Sequence, residues 1–158
     1  MRRSFRSRLL GLIASASVRV SAASLRSPAS SWYCASALNY LGYLLASRGE
    51  QLDEAIRLVQ KALEAEPDNP AYLDSLGWAY FRKGDLDGAE KNLSAAAQKL
   101  PENSEIQDHL GDLHARRQRW SEAIAAWTRA LGGDGEGIDK AAVEKKIGNA
   151  KGKMQNAK

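Results

Sequence analysis

The chain has 158 residues, enough for one domain or a short array of repeats. Hydrophobic residues make up 44% and charged residues 27%, a globular balance that argues against wholesale disorder. A single cysteine, Cys34, excludes a disulfide framework and any CxxC site, and two histidines, His109 and His114, leave little for a histidine metal centre. The longest apolar stretch, Leu9 to Val18, falls well short of the roughly 20 residues that span a bilayer. No transmembrane segment, metal or cofactor is expected.

Residues 1–34 form a basic leader. Residues 1–35 hold six arginines, no lysine and no acid. Three readings stay open. One is a secretory signal, with Arg2–Arg8 as its basic region, Leu9–Val18 as a weak apolar core and Val20-Ser21-Ala22 as a cleavage site. Arg2-Arg3-Ser4-Phe5 also resembles the start of a twin-arginine signal. The second is an organellar transit peptide, favoured by arginine and serine without acids. The third is a disordered leader, or a mis-called start that truncates a longer array. The compartment is accordingly open, cytoplasmic or exported to the periplasm.

The charge then changes sign. Residues 36–137 carry eleven basic and seventeen acidic side chains, and residues 138–158 carry six lysines against Asp139 and Glu144. A pI near 9.3 would suit nucleic acid. Here the basic charge sits at the two ends around an acidic middle, so no nucleic-acid partner is expected.

That middle repeats. Leu41-Gly42, Leu76-Gly77 and Leu110-Gly111 recur at spacings of 35 and 34, while Ala55, Ala89 and Ala123 recur at 34, as do Ala62, Ala96 and Ala130. Pro67 and Pro101 are also 34 apart. The spacing of 35 has a local cause, because Gly49-Glu50-Gln51-Leu52 is one residue longer than Gly84-Asp85-Leu86. Three units follow, 35–69, 70–103 and 104–137.

Each unit reads as two helices. In the second, Asn69 is a candidate N-cap with Pro70 at the first helical position. Leu73, Leu76, Gly77 and Tyr80 then share one helical face. A second helix starts near Leu86, carries Leu86, Ala89, Leu93, Ala96 and Ala97 on one stripe, and stops before Pro101. Small residues at 77, 89 and 96 let the two helices approach closely. A C-terminal helix over 138–155 follows, weakened by Gly148 and Gly152 and expected to fray near its end. It covers the last unit with Ile138, Ala142, Val143, Ile147, Ala150 and Met154 and turns Lys140, Lys145, Lys146, Lys151 and Lys153 outward. Residues 138–158 thus make a capping helix and a lysine-rich tail.

Over 35–137 these residues resemble the tetratricopeptide repeat, a helix–turn–helix unit of 34 residues. The stretches "DNPAYLDSLGWAYFRKGDLDGAEKNL" and "ALNYLGYLLASRG" look like repeats of large bacterial proteins of that family, which weighs against the transit reading. Gln118 departs from the pattern where Gly49 and Gly84 supply the turn, and Leu131-Gly132-Gly133-Asp134-Gly135 replaces the helix-ending proline segment. The resemblance implies an all-α, right-handed superhelical solenoid of three helix pairs plus the capping helix.

It also implies a concave groove lined by the first helix of each pair, here Asn39, Tyr43, Asp74, Trp78, Phe81, Asp108, Asp112 and Arg116. That surface would be acidic around an aromatic centre, suited to a peptide or protein with basic and apolar side chains. Trp78 and Phe81 are either anchors for that partner or packing against the neighbouring repeat. Co-chaperone members of the family clamp a C-terminal carboxylate with Lys, Arg and Asn. Here Asn39, Glu105 and His109 occupy the matching places, and Glu105 would repel a carboxylate.

Other residues read as structural. Trp120 and Trp127 are seven apart on a core stripe, His109 reads as groove or inter-repeat surface, and His114 stands where Tyr80 packs in the preceding unit. The acids lack a partnered nucleophile or base, so no catalytic residue is expected. The competing functional reading is a terminal fragment of a longer array, or self-association through an uncapped first repeat around Leu38, Leu41 and Leu45.

Overall fold

In the computed structural model, residues 28–156 are described, with side chains from Cys34 to Gln155. Two compact units divide the chain, Met1–Ser31 and Trp32–Lys158, and the architecture below is that of the second. The described elements are α1 (Pro28–Arg48), α2 (Leu52–Ala65), α3 (Pro70–Lys83), α4 (Leu86–Lys99), α5 (Ser104–Arg116), α6 (Trp120–Gly132) and α7 (Lys140–Asn156). They form an all-α solenoid in which neighbouring helices pack in sequence order, α2 on α3, α4 on α5 and α6 on α7. Among the described residues no helix is long and apolar enough to cross a membrane.

Most of the leader, with the signal-like residues of 1–27, lies outside the described residues. Its last residues do not: α1 opens at Pro28, upstream of the first 34-residue unit. Proline suits a first helical turn, and no further proline interrupts the run from there to Arg48.

The pairs are held by close approach at small residues. A Cβ added at Gly77 of α3 would stand 2.7 Å from Leu93 Cγ and 2.9 Å from the Leu93 backbone nitrogen on α4. Gly42 of α1 meets Val59 of α2 in the same way, at 2.6 Å, and Gly111 of α5 lies against the Trp127 ring of α6. Ala89, Ala96, Ala123 and Ala130 on the facing helices have no exposed surface. Leu93 and Leu113 fill the volume between pairs, both fully buried.

The ends of the helices follow the local chemistry. Asn69 accepts from the amides of Ala71 and Tyr72, Asp85 from Gly88, and Asn103 from Ile106. Each satisfies donors that a first turn leaves unpaired. Between paired helices the chain turns through a left-handed residue: Gly49 at φ 72°, Gly84 at φ 91° and Gln118 at φ 59°. Gln118 therefore takes the backbone that glycine takes in the other two turns. The extra residue of the first turn, Gln51, is also left-handed, at φ 45°.

The glycine-rich segment after α6 is docked rather than free. Ser104, the first residue of α5, donates its hydroxyl to Ala130 O at 2.7 Å and accepts from the Gly135 amide at 2.8 Å. Asp134 accepts from the Ser104 amide at 3.0 Å and its own amide donates to Glu102 O. This clasp aims the chain into α7. There Val143 and Ala150 are buried with Ile138 and Ile147 half-buried against Trp127, while Ala142 and Met154 stay exposed. The helix runs past both glycines to Asn156.

Substituting Gly77→Ala is expected to destabilise the protein by about 1–3 kcal/mol, because the Leu93 backbone cannot yield as a side chain can. Urea denaturation followed by circular dichroism measures it, and an unchanged midpoint would refute the close-approach account.

Candidate partner-binding groove

The first helices of the three pairs, α1, α3 and α5, share one face. The repeat places Asn39, Asp74 and Asp108 in one register along it, and Tyr43, Trp78 and Asp112 in another. The structure brings these residues together in a way that changes their chemistry.

Asp74 is buried, and both its oxygens lie 3.0 Å from Nδ1 of His109, which is buried as well. His109 thus lies at the contact between two repeats, buried rather than open to the groove. Its ring stacks on Trp78 at 4.1 Å and 13°, with Tyr43 on another side at 6.5 Å. Phe81 stacks on Trp78 in turn, at 5.1 Å and 18°. Of the two aromatic readings, the structure shows the packing one for Trp78, which stacks on His109 of the next repeat, and neither Trp78 nor Phe81 is fully buried. Burial disfavours the charged imidazole of His109, but the charges of Asp74, Glu105 and Asp108 outweigh it and lift its pKa above the ordinary value.

Asp108 and Asp112 are not an open acidic surface. Lys146 of α7 turns inward and places Nζ 2.8 Å from Asp108 Oδ1 and 3.0 Å from Asp112 Oδ2. Helix spacing could not show this, because it fixes the lysines relative to one another and not the rotation of α7 on α6. Burial and the Asp108 charge raise the Asp112 pKa despite Lys146, and the two carboxylates hold Lys146 above its usual range despite its own burial. Asp112 also accepts from Trp127 Nε1 at 3.2 Å. Lys153 is likewise not simply outward, standing 4.7 Å over the half-buried ring of Trp120.

Two cavities remain on this face, each of about 360 Å³. Cavity 1 lies among α1, α3 and α5 and is lined by Ser36, Asn39, Tyr40, Tyr43, Asp74, Leu100, Glu105 and Ile106 with others. Tyr43 donates its hydroxyl to Glu105 Oε1 at 2.6 Å, and burial with the Glu105 charge raises the phenol pKa, so it stays a neutral donor. Cavity 2 lies among α3, α5, α6 and α7 and is lined by Phe81, Asp112, Ala115, Arg116, Trp120, Trp127, Lys146, Asn149, Ala150 and Lys153. Asn39, Tyr43 and Asp74 thus face cavity 1, while Phe81, Asp112 and Arg116 face cavity 2. Tyr40 and the α7 lysines escape the sequence reading: Tyr40 lines cavity 1 outside the two registers above, and the lysines arrive by long-range docking.

Two family models described as tetratricopeptide repeat match the chain, at residues 46–108 and 11–70. The second reaches back into the segment that composition assigns to the leader. A tetratricopeptide repeat-containing protein of Pseudomonas aeruginosa is 47% identical over 78 residues, 49% of this chain and 13% of that protein. One of Methanocaldococcus jannaschii is 27% identical over 81 residues, 51% of this chain and 14% of that protein. The chain thus spans a small part of the relatives it matches. Among solved structures it is similar to the Sgt2 repeat domain from Aspergillus fumigatus, with a TM-score of 0.69 at 24% identity, covering 78% of this chain and 80% of that one. The first such domain of human RPAP3 has a TM-score of 0.68 at 23% identity, covering 84% and 100%. The same domain of Spaghetti (RPAP3) bound to an HSP90 peptide, SRMEEVD, has a TM-score of 0.69 at 21% identity, covering 78% and 98%.

The buried Asp74–His109 pair gives stability a pH dependence. Its folded histidine pKa is raised, so its contribution is fully present below about pH 6.5, the ordinary imidazole value, and is lost as pH rises through the folded value. His114 acts in the opposite window: burial and Arg119 lower its pKa, so its contribution falls as pH drops below about 6.5. Urea midpoints measured on either side of neutrality should therefore lose their alkaline-side decline in His109→Gln and keep the acid-side one. An alkaline-side decline that survives the substitution would rule the pair out as its source.

Proposed function

The chain is a tetratricopeptide repeat protein, and from that premise we propose that it is an interaction scaffold that captures a partner peptide or protein segment on its concave face. The observation that carries this is the pair of cavities on this face, one among α1, α3 and α5 and one among α3, α5, α6 and α7, each lined in part by aromatic rings. Peptide capture by a repeat domain of this fold, as the HSP90-bound Spaghetti domain shows for that protein, supports the reading. The peptide there is acidic. Glu105 and Asp74 on cavity 1 argue against such a tail in the corresponding part of this groove, since like charge across an interface costs affinity.

We further propose a second reading for the exposed flank of α1, where Tyr40 is 64% and Leu41 48% exposed. Leu38 and Leu45 are packed into the core and are not part of that surface. With a family model beginning at residue 11 and relatives far longer than this chain, Leu41 fits a contact with a preceding repeat or a second copy.

Random peptides displayed on phage should be retained by the full chain. Retention should fall more than tenfold when Tyr40→Ala is combined with Arg116→Ala, with helical circular dichroism unchanged, and should survive Lys91→Ala on exposed α4 surface. Equal loss with Lys91→Ala would defeat the groove. For the flank, light scattering of the full chain should show a mass that grows with concentration and reverts to the monomer in Leu41→Asp. A monomer at all concentrations would leave self-association without support.

A further inference from the structure

We infer that the groove is bipolar: granted capture of a peptide on the concave face, it selects a segment with a basic side chain for cavity 1 and an acidic side chain for cavity 2. The two positions lie three to five residues apart in the bound segment.

The charges of the two cavities differ in kind. Cavity 1 holds Asp74 and Glu105, and no lysine or arginine is among its lining residues. Asp74 is matched by His109, but Glu105 receives only the neutral phenol of Tyr43 among the described residues. The remaining walls include Tyr40, Leu100 and Ile106, which suit the alkyl stem of an arginine or lysine while its head meets the carboxylate. Cavity 2 reverses this. Its lining carries Arg116, Lys146 and Lys153 against one carboxylate, Asp112, and Lys146 already offsets that charge. Lys153 rests on the Trp120 ring and Arg116 is exposed, so two cations flank an aromatic floor.

The molecule supplies its own precedent. Along the same face Lys146 is seated between Asp108 and Asp112, so this groove already holds one ammonium against its carboxylates. Glu105 is one turn upstream of that pair on α5 and is left without a cation among the described residues. A basic side chain entering cavity 1 completes the pattern. An acidic side chain there would meet two carboxylates, and a basic one in cavity 2 would meet Arg116 and Lys153.

Helix geometry sets the spacing. On α3 the walls run from Asp74 in cavity 1 to Phe81 in cavity 2, and on α5 from Glu105 to Arg116. At about 1.5 Å per residue these are separations of roughly 10 and 16 Å. An extended peptide advances about 3.3 Å per residue, which gives about three to five residues between the two charges.

The test is the composition of peptides that the full chain retains from a random display library. Retained sequences should be enriched more than tenfold, over the unselected library, in an Arg or Lys paired with an Asp or Glu at that separation. Glu105→Gln should remove the basic preference and leave the acidic one, and Arg116→Glu with Lys153→Glu should do the converse. Circular dichroism on each variant confirms that the helices persist, and Gln keeps the acceptor that Tyr43 uses. Retained peptides without the charge pair, or with a pair that survives both sets of substitutions, would overturn bipolarity and leave peptide capture standing. Retention of no peptide would overturn capture itself, and bipolarity with it.

Discussion

The structure depends on three places where a backbone has no side chain. Gly42, Gly77 and Gly111 occupy the same position in successive first helices, and each lies where a neighbour's side chain fills the missing Cβ volume. The occupant differs, Val59, then Leu93, then Trp127, so the repeat conserves the gap and not the group that enters it. Dense packing makes such gaps unforgiving, because a single added carbon has nowhere to go without moving backbone. Close approach within pairs then sets the pitch between pairs, and the pitch aligns α1, α3 and α5 on one face.

That alignment creates an electrostatic problem which the molecule resolves internally. A period of 34 carries Asp74 onto Asp108, and the next helical turn adds Asp112. Buried or half-buried carboxylates without partners would be costly. His109 from the next repeat meets Asp74, and Lys146 from beyond the repeats meets the other two. The C-terminal helix therefore does more than cover apolar surface. Its Val143 and Ala150 close the last pair, while Lys146 neutralises the end of the groove, and the Ser104–Asp134 clasp holds the connecting loop against α5.

The sequence exposes what is local or periodic. Leu-Gly and Ala spacings reveal the paired helices; Asn69 and Pro70 mark the start of α3, and Pro101 marks the end of α4. Register assigns residues to one face; of these Asn39, Tyr43, Asp74, Phe81, Asp112 and Arg116 line the two cavities, and Trp78 and Asp108 line neither. What register cannot reveal is who else arrives there. Lys146 lies 34 residues beyond Asp112 on a helix outside the repeats, and its rotation is fixed by Val143 and Ala150 packing on Trp127, which no spacing rule encodes. His109 escapes for a related reason: its depth follows from the stacking of Trp78 and Tyr43 around it, contributed by two other repeats.

A census of charge along the chain therefore misleads about the surface a partner meets. The acidic middle suggests a uniformly acidic groove, yet three of its groove acids are already matched, and the lysine-rich tail contributes cations to one end of the same face. What remains for a ligand is the residue of that internal pairing: Glu105 with only a phenol among the described residues at one end, Arg116 and Lys153 around indole rings at the other. Charges matched inside a fold lend it stability and position, and the unmatched ones are those that can discriminate between partners. In this chain both unmatched sets flank the stacked His109, Trp78 and Phe81 rings, and in the bipolar groove we propose, that ordered core is what keeps two recognition chemistries apart.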